Sequence, residues 1–153
     1  MSTLRVCKFG GTSLATAEQM RKVAAIIDAD PRRRVVVPSA PGKAHPKDTK
    51  ITDLLYLAND MVSKGQPMAG VWDAIAGRYA QIVKDLGLKF DMRRHLDEVR
   101  DRIAGGAGAH YAASRGEYLN GLIMADLLKA TFVDAADVIV FPRGNQADEA
   151  TYG

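Results

Sequence analysis

A short apolar run, Leu4, Val6 and Cys7, ends in Lys8-Phe9-Gly10-Gly11-Thr12-Ser13, and an amphipathic stripe starts a few residues on. In that stripe Met20, Val23, Ala24 and Ile27 recur at helical spacing, and a second apolar run, Val35-Val36-Val37, follows. The pattern predicts a strand over 3–9, a helix over 16–30 and a strand over 34–39. Strand, helix and strand in such close order imply a parallel pair joined by a right-handed crossover. That confines the chain to α/β architectures. The turn itself favours an anion. Its glycines let the backbone approach a ligand closely, the helix N-terminus behind it favours negative charge, and Lys8 adds a full positive charge. It is neither a Walker A loop nor a Gly-x-Gly-x-x-Gly fingerprint. A Gly-Gly turn between strand and helix can also be purely structural.

Helices dominate the remainder. Apolar spacing predicts helices over 51–64, 68–87, 91–104 and 114–130, then strands over 131–134 and 137–142. Trp72, Ile75, Tyr79, Ile82 and Leu86 form the stripe of the third helix, which Gly87 stops. Thr16 with Gln19 has capping-box spacing, and so does Ser114 with Glu117. Between the second strand and the second helix lie residues 40–50, with Pro41, Gly42, Pro46 and the titratable Lys43, His45, Lys47 and Asp48. Length and composition predict a mobile loop there, placed where a lid would sit.

Three segments, in order, carry a family resemblance. Lys8-Phe9-Gly10-Gly11-Thr12-Ser13, then Ser39-Ala40-Pro41-Gly42-Lys43 leading to Thr52-Asp53, then Ser114-Arg115-Gly116-Glu117 resemble the N-terminal half of the aspartokinases, in the amino-acid kinase superfamily. Order and spacing agree from Leu4 to Phe141. The resemblance implies an α/β fold, a three-layer α/β/α sandwich with a mostly parallel sheet, of which only the N-terminal, amino-acid-binding half is present. It implies phosphoryl transfer from ATP, with Mg²⁺, to the side-chain carboxylate of L-aspartate, the first step of lysine, threonine and methionine biosynthesis. Lys8 would be the catalytic lysine on the transferring phosphoryl group, with Gly10 and Gly11 offering amides to phosphate. Thr12, Ser13, Ser39 and Thr52 would contact substrate, and Glu117 would hold the α-ammonium of aspartate. Each has an alternative reading from the residues alone. Lys8 could point to solvent, Thr12, Ser13 and Thr52 could cap helices, and Glu117 could close a capping box. Pro38 departs from the apolar residue usual before the family's serine. Lacking an N–H, it predicts a strand that ends one residue early.

The resemblance also implies what is missing: the half carrying most of the nucleotide pocket, and the regulatory domains many relatives append. The expectation is therefore an aspartate kinase fragment, inactive or nearly so alone. The alternative is a non-catalytic module of the same fold that binds aspartate or another anion. An unprotected sheet edge predicts self-association into a homo-oligomer.

Composition narrows the remaining classes. With 47% hydrophobic and 25% charged residues among 153, the chain reads as one ordinary globular domain. Cys7 is the only cysteine, which excludes an internal disulfide framework and a thiolate metal cluster, and no metal ligands are expected in this half. No apolar run reaches the ~18 residues of a membrane span, and the N-terminus lacks a signal-peptide pattern, so cytoplasm is expected. The net charge of +3 is spread over sign-alternating faces, as in 92–102, with no aromatic residues between the cations. Nucleic-acid binding is not expected.

Overall fold

The computed structural model describes residues 3–139. The chain runs β1 (Arg5–Phe9), a 3-10 turn (Gly11–Leu14), α1 (Ala17–Asp28) and β2 (Arg33–Pro38). Helices α2 (Ile51–Ser63), α3 (Ala69–Leu86), α4 (Met92–Ala104), α5 (Ala109–Leu128) and the short α6 (Ala135–Val138) follow. The two strands pair in parallel, with Lys8 opposite Val37 and Phe9 opposite Pro38. The α/β unit expected from the strand–helix–strand order is thus formed. Thr16 caps α1 by accepting from the Gln19 amide at 3.3 Å. At the far end of the crossover Asp30 accepts from the Arg32 amide at 3.0 Å and pairs with Arg5 of β1, closing the turn into β2.

β2 ends at Pro38, one residue short of 39 as the proline predicts, but its pairing with β1 does not stop there. The Ser39 amide donates to the Phe9 carbonyl at 3.0 Å, so the ladder runs past Pro38. Successive amides of a strand point to opposite sides. Ser39 faces β1, and the missing N–H of Pro38 therefore falls on the open edge, where it breaks nothing.

Cys7, Phe9 and Val36 face the helices, and the core behind them is built from the stripes read in the sequence. Met20, Leu55, Ile75, Leu119 and Ile123 are fully buried at its centre. Trp72 packs within it, 4% exposed. The other face of the strand pair leaves Val6, Val35 and Val37 exposed.

Three boundaries differ from expectation. α5 begins at Ala109 rather than at 114, because Gly108, at φ +89°, makes the entry turn that the sequence pattern did not mark. Ser114 consequently lies inside the helix and donates to the Tyr111 carbonyl at 2.8 Å, so there is no capping box with Glu117. No strand forms over 131–134. Phe132 instead tucks its ring against Gly121 of α5, and Asp134 accepts from the Ala136 amide at 3.0 Å, capping α6 where the last strand was expected. Residues 140–142 of that expected strand lie outside the described residues. His95, on the alternating α4, is half-buried between Phe90 and Tyr118, with Nδ1 3.2 Å from the Tyr118 hydroxyl. Among the described residues no helix is long and apolar enough to cross a membrane.

Candidate functional site

β1 delivers Lys8 to the carboxyl end of the sheet, where open α/β sheets place their ligands. The alternation of the strand sets Lys8 on the exposed face with Val6, and the register brings Ser39 beside it. Lys8 Nζ lies 3.5 Å from Ser39 Oγ. No carboxylate pairs with Lys8 among the described residues, so its charge stays available to an anion.

The glycine turn is built against the loop after β2. The Gly42 amide donates to the Gly11 carbonyl at 2.9 Å. A Cβ on Gly11 would meet the Ala40 carbonyl oxygen at 2.8 Å, and one on Gly42 would meet the Gly11 carbonyl carbon at 2.7 Å. Two backbones touch here, which only glycine allows. Gly10 has open space around it, with its φ at −77°. Thr12 and Ser13 are exposed within the 3-10 turn, where the Ser13 amide donates to the Gly10 carbonyl at 3.0 Å. Neither caps α1, since Thr16 does so. Thr52 sits half-buried in the first turn of α2, whose N-cap is Lys50 without a side-chain bond, so the capping alternative fails for Thr52 as well.

α5 reaches the same place. A Cβ on Gly116 would come 2.7 Å from the Ala40 Cβ, so this helix presses directly on the segment after Ser39. The next residue, Glu117, is exposed at mid-helix. Its charge is felt by the Tyr79 hydroxyl, which burial first and Glu117 second push well above the ordinary phenol value. Tyr79 therefore stays neutral, and its hydroxyl donates to the Gly116 carbonyl at 2.8 Å. Lys8 and Ser39 thus meet at the ends of β1 and β2 beside the Gly10–Ser13 turn, while Thr52 follows Ile51, whose amide donates to the Pro41 carbonyl, and Glu117 follows Gly116, which packs on Ala40.

Two residues the sequence reading passed over support this end of the molecule. Asn120 is fully buried, with Nδ2 donating to the Ser39 carbonyl at 2.6 Å and Oδ1 without a partner among the described residues. The signal was present: Asn120 interrupts the apolar stripe of Ala112, Leu119 and Ile123. Arg78 of α3 donates to the carbonyls of Gly42 and Thr49 and pairs with Asp48. Nothing in the sequence distinguishes Arg78 from an ordinary helix-surface arginine. The expected mobile loop is accordingly tied down. Asp48 also accepts from the amides of Ala44 and Thr49, each at 2.9 Å.

Burial opposes the Asp48 carboxylate, but the Ala44 amide, the Arg78 guanidinium and the Thr49 amide outweigh it. Its carboxyl is held below the usual carboxylate range. A lowered folded value means the loop contacts contribute stability above the unfolded carboxyl value of about 3.9 and lose it as pH falls through the lower folded value. Urea midpoints should therefore fall as pH drops below about 4. Asp48→Asn should flatten part of that fall, and an Asp48→Asn profile parallel to the wild type would contradict the assignment.

The class follows from the parallel pair, the glycine turn and the lysine at its strand end, and comparison with known proteins agrees. Residues 3–151 match the amino acid kinase family, and the chain belongs to it. Within that family the likeness is to aspartate kinases. The chain is 39% identical over 98 residues to aspartokinase 3 of Bacillus subtilis (strain 168), covering 64% of this chain and 21% of that one. The aspartate kinase of Clostridium acetobutylicum superposes with a TM-score of 0.94 at 49% identity, over 97% of this chain and 34% of that one. Escherichia coli aspartokinase III, solved with aspartate and ADP, gives a TM-score of 0.65 at 26% identity, over 82% of this chain and 29% of its own. The chain thus spans about a third or less of the length of these relatives.

Proposed function

We propose that residues 1–153 are the N-terminal, amino-acid-binding part of an aspartate kinase, which transfers the terminal phosphoryl group of ATP to the side-chain carboxylate of L-aspartate, the first step of lysine, threonine and methionine biosynthesis. A carboxylate is already a competent nucleophile at neutral pH. One of its oxygens forms the new bond to phosphorus as the bond to the ADP oxygen breaks, and no proton has to be removed. The work left to the protein is positioning and neutralisation of charge. Lys8 would meet the oxygens of the transferring group, and the amides of Gly10 and Gly11 would meet phosphate. Thr12, Ser13, Ser39 and Thr52 would orient the amino acid, and Glu117 would hold its ammonium. The close Gly11–Gly42 approach fits a phosphate cradle, and Mg²⁺ would be carried mainly by phosphate oxygens and water. The observation that carries this reading is the 3.5 Å approach of Lys8 to Ser39, supported by the packing of Gly116, the residue before Glu117, on Ala40.

A narrower reading is an aspartate- or anion-binding module of the same fold without turnover. Calorimetric titration separates the possibilities. L-Aspartate should bind the 153-residue chain, Glu117→Ala should lose most of that affinity, and succinate, which lacks the ammonium, should bind both proteins equally weakly. Aspartate binding indifferent to Glu117→Ala would sink the assigned subsite. ADP release with Mg-ATP should be absent or very small in this chain. Aspartate-dependent ADP release would instead show that the chain is sufficient for catalysis. A cytoplasmic setting and self-association through the unprotected sheet edge belong to the same proposal.

A further inference from the structure

We propose that Arg78 is a positioning residue that straps the 41–49 loop against the glycine turn and so holds the turn in the shape a phosphate requires. The inference rests on the reading of Lys8–Ser13 as a phosphate turn. Arg78 lies on α3, far in sequence from everything it ties together. One guanidinium donates to the carbonyl of Gly42 at the start of the loop and to the carbonyl of Thr49, at 3.2 Å, at its end. It also pairs with Asp48, whose carboxylate in turn accepts from Ala44 and Thr49. Both partners are largely covered, with side chains 16% and 20% exposed, so the pairing is shielded from salt more than a surface pair would be.

The strap ends where the turn begins. Gly42, held from one side by Arg78, donates from its other side to the Gly11 carbonyl at 2.9 Å. Gly11 is one of the residues whose amide the site would offer to phosphate. The hydrogen bonds of Arg78 go to the loop and not to the turn itself, which it reaches through Gly42. The planar fork of the guanidinium is needed because the acceptors are two carbonyls and a carboxylate in different directions. A lysine ammonium can keep the carboxylate but cannot span the three.

Amide hydrogen exchange and tripolyphosphate titration on the 153-residue chain test this, comparing wild type with Arg78→Gln and Arg78→Lys. Arg78→Gln should speed exchange at Gly42, Ala44 and Thr49 by about tenfold or more, as expected for losing charge-assisted hydrogen bonds, while Leu55 and Ile123 in the core keep their protection. Arg78→Lys should rescue Ala44 and Thr49 in part, through Asp48, but not Gly42. Tripolyphosphate affinity should fall about tenfold in Arg78→Gln, in step with Gly42 exchange. Unchanged exchange at Gly42, or faster exchange shared equally by the core amides, would overturn the strap. Fast Gly42 exchange with unaltered tripolyphosphate affinity would overturn the link to the turn. Wild-type protein that binds no tripolyphosphate would overturn the phosphate reading and the link with it. The strap is judged separately, because Gly42 exchange reports it with no ligand present.

Discussion

Gly42→Ala is expected to lower the unfolding free energy by about 3 kcal/mol and to abolish measurable tripolyphosphate binding, whereas Gly10→Ala leaves stability close to wild type. The contrast comes from what each added methyl group would meet. At Gly42 it would sit 2.7 Å from the Gly11 carbonyl carbon, 2.8 Å from its oxygen and 2.9 Å from the Thr12 nitrogen, all backbone atoms that no rotamer change can move aside. Relief requires the loop and the turn to separate, which breaks the Gly42–Gly11 hydrogen bond. An alanine restricts the unfolded chain and so favours folding by under about 1 kcal/mol, too little to compensate. At Gly10 nothing lies within 4 Å and the backbone is extended at φ −77°, so an alanine fits. Urea denaturation of the two variants side by side reads the first effect, and tripolyphosphate titration reads the second. A Gly42→Ala protein within about 0.5 kcal/mol of wild type would mean that turn and loop are not packed as a unit.

That contrast also marks how far sequence reasoning reaches. The strand–turn–helix–strand order was legible because strand and helix periods differ, and the stripe from Met20 to Ile27 announces a helix between two apolar runs. The stripe of α3 was legible for the same reason. Of the two glycines in the turn, however, only Gly11 is required by packing, and the backbone that makes it so, at Ala40 and Gly42, belongs to a segment legible by resemblance but not by which atoms it would touch. Spacing carries no information about which distant backbones touch. The α5 boundary was missed because a Ser-x-x-Glu spacing imitates a helix start, whereas the real start is a glycine at positive φ with no capping side chain. Residues 131–134 read as a strand because Phe132 and Val133 suit one, but Gly121 leaves a notch on α5 that accepts the Phe132 ring. Lys8 and Ser39 were legible as candidates because each ends an apolar strand. Their approach depends on the register of the pair, and that is a property of the fold. Arg78 stayed invisible because two of its three partners are backbone carbonyls, which every residue possesses, and the third, Asp48, lies 30 positions away with no spacing to link them.

Asn120→Asp, a change of almost no volume, should cost about 4 kcal/mol at pH 7 and almost nothing near pH 4. Asn120 is fully buried, its Nδ2 donates to the Ser39 carbonyl at 2.6 Å, and its Oδ1 has no partner among the described residues. An aspartate carboxylate there would lose the only donor of the pair and set a negative charge against a carbonyl oxygen. The protonated acid avoids both problems, since its O–H can donate to the Ser39 carbonyl as the amide does. Burial and that hydrogen bond both raise the folded pKa above the unfolded value of about 3.9. With a raised folded value, the neutral form keeps the variant stable below about pH 4, and stability is lost as pH rises toward the folded value, at about 1.4 kcal/mol per pH unit. The wild type runs the other way at acid pH through Asp48, so the informative quantity is the difference between the two proteins at each pH. Asn120→Leu supplies the control. It removes the orphaned oxygen together with the donor and carries no charge, so its difference from wild type should not vary with pH. An Asn120→Asp difference equal at pH 4 and pH 7 would show that water reaches this side chain, and that the Ser39 carbonyl is not held in a dry site. The expected slope would show instead that the backbone beneath the Lys8–Ser39 contact is anchored by one buried amide from α5, the helix that also carries Glu117.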